Sequence, residues 1–182
     1  MWSGATDAKR TGMTNVAFVR TSIELLENFF APGEVDSIWI TFPDPQMKKV
    51  RKRLTSTRFM QLYRSVLADG GRVNLKTDSP FLYNYTRQMC LANPDAINIV
   101  TDTADLYANP GTAGSILDIR THYEQQWLDR GLTIKYLAFD LDANTELTEI
   151  DDTDIERDTY RSYSRGQLEC PQLLNQDDKN QE

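Results

Sequence analysis

The stretch Val35-Asp36-Ser37-Ile38-Trp39-Ile40-Thr41-Phe42-Pro43-Asp44-Pro45 joins a strand-forming run to a rigid acidic turn. Residues 35–40 are apolar and β-branched enough for a buried strand of a parallel sheet. Pro43 and Pro45 cannot donate to a ladder, so the strand stops before them. Asp44 therefore stands at a strand's C-terminal end, the edge where open α/β sheets bind ligands. The flanking prolines also restrict the backbone that carries its carboxylate. Five cations follow within six residues, in Lys48-Lys49-Val50-Arg51-Lys52-Arg53. A fixed carboxylate beside a cationic cluster suits a base carried on a phosphate backbone.

On either side of this stretch, helical and strand periods alternate. Residues 2–11 read as the end of a helix, residues 15–19 as a short buried strand, and residues 22–30 as a helix stopped by Pro32-Gly33. A second helix opens at Thr57, with Phe59, Leu62, Tyr63, Val66 and Leu67 at helical spacing, and Asp69-Gly70-Gly71 ends it before a strand over 72–77. Helix 80–92, strand 97–101, a loop of small residues through Gly114, helix 120–130 and strand 133–141 follow. Short connections between alternating strands and helices predict an α/β fold, with a parallel sheet and a late strand free to run antiparallel. Residues 142–159 are rich in Asp, Glu and Thr and read as a solvated acidic connection. Tyr160 to Gly166 reads as an edge strand or ordered arm, and the residues from Asn175 as disordered.

At 182 residues and 40% apolar content, the chain has enough material for one domain with a real core. Its net charge of −7 is unevenly spread, at +5 over residues 1–90 and −12 over residues 91–182. Local charge steers a polyanion, so the cationic half is compatible with a phosphate-binding face. No apolar run approaches the length of a membrane span, and residues 1–4 lack a secretory pattern, so a cytoplasmic protein with no membrane partner is expected. Cys90 and Cys170 fit neither a metal spacing nor a disulfide framework, and no metal is expected. Oligomeric state is left open.

Each candidate residue has a plainer reading beside the functional one. Asp44 is either a carboxylate accepting N–H donors from a base edge or cofactor, or a turn aspartate between prolines. The run Lys48, Lys49, Arg51, Lys52 and Arg53 either meets phosphates or is a solvated surface. It carries no interleaved aromatics for base stacking. Asp78 closes the next strand at the same sheet edge and also suits a helix N-cap before Pro80. Thr121-His122-Tyr123-Glu124 opens a helix with the chain's one histidine, and Glu124 completes a capping box with Thr121 or touches ligand.

In combination, Phe42-Pro43-Asp44-Pro45, Lys48, Lys52-Arg53-Leu54, Phe59, Leu67, Gly70-Gly71, Thr77-Asp78 and Thr121-His122-Tyr123-Glu124 make the chain resemble the bacterial tRNA (guanine-N7-)-methyltransferases. These are S-adenosylmethionine-dependent enzymes with a Rossmann-like sheet. The resemblance covers residues 2 to about 141. It implies a tRNA partner and S-adenosylmethionine as cofactor, with methyl transfer to N7 of the guanine at position 46 of tRNA. By that resemblance Asp44 is the active-site aspartate, and Lys48, Asp78, Thr121, His122, Tyr123 and Glu124 contact the tRNA guanine.

The resemblance also sets expectations by what it leaves unmatched. Relatives carry a Gly-rich turn and a second acidic strand end that cradle the cofactor, and no Gly-x-Gly occurs in these 182 residues. Ser22 is the one stand-in for the adenine-contacting acidic residue, beside a cofactor contact from Asp44. Residues 1–141 are thus read as the C-terminal part of a methyltransferase domain lacking its N-terminal cofactor-binding segment, and residues 142–182 as an acidic polar extension, partly disordered. The competing reading is a non-catalytic RNA-binding module that keeps the basic face. A methyltransferase acting on protein or small molecules has no need of the cationic run.

Overall fold

The computed structural model describes residues 2–108, 116–142 and 144–159. Helix α1 spans Trp2–Thr11, and a 3-10 segment follows at Ile23–Asn28. The sheet and its helices are β1 (Val35–Thr41), α2 (Thr57–Arg64), β2 (Leu67–Thr77), α3 (Pro80–Leu91), β3 (Ile97–Thr103), α4 (His122–Leu128) and β4 (Lys135–Leu141). The strands lie in the order β1-β2-β4-β3, with β1 parallel to β2 and β4 antiparallel to both neighbours. This is a Rossmann-like α/β sheet whose late strand runs antiparallel.

Alternation along the strands separates two faces. Ile40, Leu75 and Leu137 lie side by side, as do Val73 and Phe139. They form the main core with Phe59, Met60 and Tyr63 of α2 and Leu82, Met89 and Cys90 of α3. Buried in this core, the Cys90 thiol is pushed well up from its ordinary range. The opposite face carries Trp39, Asn74 and Ala138, and only part of it is covered, by Leu106, Leu117, Ile134 and Trp127. No described helix is long and apolar enough to cross a membrane.

Several expectations are corrected by packing. Residues 15–19 form no strand, and Val16, Phe18 and Val19 are 39%, 44% and 53% exposed. The helix expected over 22–30 is the 3-10 segment, with no buried residue. β1 is not fully buried: among the described residues its outer edge pairs with no strand, and of its seven residues only Ile40 is buried. A strand of this composition is covered on both faces only if neighbours supply the cover, and an open edge removes one of them. Asp69-Gly70-Gly71 does not end a helix. It lies inside β2, where Gly70 at φ +69° permits a kink and the register against β1 jumps from Leu67 to Arg72.

The acidic connection is not simply solvated either. Leu147 and Ile155 are buried, and Ile150 packs against the core. Asn93 and Thr148 exchange two hydrogen bonds, at 2.9 and 2.6 Å. Glu149 accepts from the Thr57 N–H and hydroxyl at the start of α2 and from the Tyr85 hydroxyl. This carboxylate satisfies helix-end donors that Ser56, with no side-chain cap bond, leaves open. The arm expected at Tyr160 to Gly166, the tail from Asn175, and Cys170 lie outside the described residues.

Candidate active site

Two strand ends and one helix start converge at the C-terminal edge of the parallel pair. β1 delivers its last ladder bond through Phe42, whose N–H donates to the Lys76 carbonyl at 2.8 Å. Phe42 sits at φ 49° and Gln46 at φ 48°, so the Pro43-Asp44-Pro45 turn is bracketed by two non-glycine residues in the left-handed region. Asp44 is exposed, and its Oδ1 accepts from the Gln46 N–H at 2.9 Å, which fixes the carboxylate against its own turn.

β2 ends at Thr77, and Asp78 follows at 1% exposure. The N-cap of α3 is Ser79 rather than Asp78: the Ser79 hydroxyl accepts from the Leu82 N–H at 3.0 Å, with Pro80 in the first turn. Asp78, which precedes that cap, lines the same cleft as Asp44. That cleft, of about 470 Å³, is walled by Thr41, Phe42, Asp44, Asp78, Thr121, Tyr123 and Trp127. Its size falls in the range of ordinary small-molecule pockets.

The third wall is held by a buried ion pair. Lys76 and Glu124, at 5% and 0% side-chain exposure, meet at 2.7 Å. Lys76 also donates to the carbonyls of Leu117 and Ile119, and Tyr107 donates its hydroxyl to Glu124 at 2.5 Å. Glu124 accepts in turn from the Thr121 N–H, while the Thr121 hydroxyl accepts from the Glu124 N–H, completing a capping box at the start of α4. Strand β2 thereby anchors the helix that carries Thr121 and Tyr123 into the cleft. Burial, then the bond to Glu124, pushes the Tyr107 hydroxyl well up from its ordinary range, so it stays a donor.

Two sequence-level assignments are corrected here. Glu124 is fully buried with both carboxylate oxygens engaged by the protein, so it supports the site and does not face a ligand. Arg53 is also fully buried and is no phosphate contact: it donates to the carbonyls of Pro45 and Gln46, pairs with Asp152 at 2.7 Å, and lies 3.9 Å from the Tyr85 ring centroid. Lys48, Lys49, Arg51 and Lys52 are exposed, and none forms a salt bridge with another described residue. His122 stands outside the cleft, lining a neighbouring hollow with Tyr123, Gln126, Trp127 and Arg130. Ser22 is exposed, precedes the 3-10 segment and does not line the cleft.

Sequence reasoning missed Trp127 and Lys135. Trp127 lies four residues after Tyr123, a one-face helical spacing that pointed to it. Lys135 pairs with Thr77 across the sheet and donates to the Thr133 carbonyl and hydroxyl. Burial draws its ammonium below its ordinary range, against the opposing pull of Asp78, Asp158 and Asp105. No cluster of three or more potential metal ligands occurs among the described residues.

Residues 4–137 match the family model described as "Putative methyltransferase". A tRNA (guanine-N(7)-)-methyltransferase of Porphyromonas gingivalis is 58% identical over 166 residues, covering 91% of this chain and 67% of that protein. The Bacteroides fragilis protein of the same name is 53% identical over 165 residues, covering 91% and 64%. That of Christiangramia forsetii is 44% identical over 140 residues, covering 76% and 62%. The chain thus spans about two thirds of the length of these relatives. On the match to the family model and this level of identity, the chain belongs to the tRNA (guanine-N(7)-)-methyltransferase family.

Proposed function

We propose that this chain carries the guanine- and RNA-contacting part of a cytoplasmic tRNA methyltransferase that acts on N7 of the guanine at position 46. The observation that carries the reading is the pairing of Asp44 and Asp78 in one cleft, with four exposed cations following Asp44 in sequence. Guanine N7 bears an in-plane lone pair, so the reaction needs alignment and no deprotonation of the nucleophile. Asp44 and Asp78 accept the donors of the Watson–Crick edge and oppose the positive charge that the ring acquires. Tyr123 and Trp127 offer aromatic walls for the base. Lys48, Lys49, Arg51 and Lys52 meet phosphates, fixing register without reading sequence.

The methyl donor of the reaction is S-adenosylmethionine, which supplies a methyl group on a sulfonium. The described residues fit the acceptor and not the methionine and ribose of that cofactor. No Gly-x-Gly turn occurs in the chain, β1 has an open edge among the described residues, and exposed residues 13–20 offer no carboxylate. Isothermal titration of residues 1–182 with S-adenosylmethionine is therefore expected to show no micromolar binding, and such binding would refute this assignment of parts. The natural polypeptide, incubated with labelled S-adenosylmethionine and tRNA, is expected to place label on guanine N7 at position 46. Label elsewhere, or none, would reject the reading.

The cationic run is tested separately. Replacing Lys48, Lys49 and Lys52 with Ala is expected to weaken tRNA binding and to lower the slope of log affinity against log salt by about 0.7–0.9 for each phosphate left without its cation. An unchanged affinity and slope would make the run a solvated surface.

A further inference from the structure

We propose that the acidic strap Leu147 to Asp158 is a positioning element of the acceptor site, holding through Arg53 and Ser79 the two turns that present Asp44 and Asp78. The proposal rests on the guanine-site reading above. Its first arm reaches the Asp44 turn. Arg53 donates from Nε to the Pro45 carbonyl and from Nη2 to the Gln46 carbonyl, both at 3.2 Å. Those carbonyls belong to the half of the turn that contains the left-handed Gln46. A backbone conformation that residues of this type rarely adopt persists only where its surroundings over-determine it.

Arg53 cannot do this unaided. Its side chain has no exposure, and a buried guanidinium needs a counter-charge as well as hydrogen-bond acceptors. Asp152 of the strap supplies that charge at 2.7 Å and is itself steadied by Arg157 at 3.0 Å. The rings of Phe81 and Tyr85 lie 4.7 and 3.9 Å from the Arg53 guanidinium carbon, closing the pocket around the fork.

The second arm reaches the Asp78 turn. Asp158 accepts from the Ser79 hydroxyl and, at 2.9 Å, from the Phe81 N–H. It thereby fixes the residue after Asp78 together with the first turn of α3. The strap is also anchored by buried Leu147 and Ile155 and by the Asn93–Thr148 pair. The aspartates go further: Asp152 acts on the Asp44 turn through Arg53, and Asp158 holds Ser79 and Phe81 beside Asp78. The strap thus sets the separation and aim of the two groups that read the base.

The test uses residues 1–182 and tRNA carrying guanine or adenine at the target position, with the affinity ratio, the salt slope and thermal unfolding as readouts. Asp152→Asn is expected to lower the guanine preference about tenfold, the scale of one charged hydrogen bond, with the salt slope unchanged. Asp152→Glu is expected to restore part of the preference. Asn93→Ala, which frees the strap at Thr148 without touching either turn or the groups around Arg53, is expected to lower the melting temperature and leave the preference intact. Should Asp152→Asn fail to fold, the pair Arg53→Met with Asp152→Leu removes both charges while keeping apolar volume, and is expected to fold with the preference lost. A folded variant of either kind with wild-type preference would overturn the proposal. A wild-type chain that binds tRNA without guanine preference would overturn the acceptor-site reading itself, and the proposal with it.

Discussion

Glu124→Ala is expected to destabilise the fold by about 3–5 kcal/mol, the cost of leaving a buried cation uncompensated. The effect is large because three groups depend on one carboxylate: the Lys76 ammonium, the Tyr107 hydroxyl and the Thr121 N–H. Urea unfolding followed by circular dichroism measures it directly, with His122→Ala as the exposed control on the same helix. The outcome also separates two roles for this residue. A carboxylate that reached substrate would weaken tRNA binding and spare stability, whereas the buried pair predicts the reverse order of effects at Glu124. Wild-type stability in Glu124→Ala would contradict the packing of α4 against β2.

Asp44→Asn in the natural polypeptide is expected to fold normally and to lose about 2–4 kcal/mol of transition-state stabilisation, roughly 30- to 1,000-fold in turnover. The amide keeps the shape of the turn and can still accept from the Gln46 N–H. What it removes is the negative charge that, in the proposed role, opposes the positive charge the guanine acquires as its N7 is methylated. Single-turnover methylation at saturating tRNA isolates that step. Unchanged turnover would reject the electrostatic role and leave Asp44 as a turn residue.

Much of the sheet was legible because local pattern and tertiary role agree. Val35 to Pro45 reads as a strand with an abrupt stop, and the structure ends β1 at Thr41 with Asp44 beyond it. Helices α2 and α3 and strand β4 follow their periodicity, since the apolar face seen in sequence is the face that meets the core. The expected strand at residues 15–19 did not form: Val16, Phe18 and Val19 stay exposed and pair with no described strand, and β-propensity does not make a strand without cross-strand packing. Arg53 was misread for a different reason. In sequence it is the last of five cations, and nothing local distinguishes it from Lys52. Only the aromatic pair Phe81 and Tyr85, one helical turn apart on α3, marks a place where a guanidinium would be enclosed. Asp152 and Asp158 were equally hidden, because a carboxylate that pairs across the fold looks the same in sequence as a solvated one.

The strap has a consequence for how the protein comes into being. Arg53 and Asp152 are 99 residues apart in the chain, and Ser79 and Asp158 are 79 apart. During synthesis the strands that carry Asp44 and Asp78 leave the ribosome long before the aspartates that brace their turns. Domains emerge N-terminal end first, and contacts of such sequence separation close last. If Asp44 and Asp78 read the base and the strap braces them as proposed, they reach their final geometry only after Asp158 has been made, and a chain released early would display the cationic run without that selectivity.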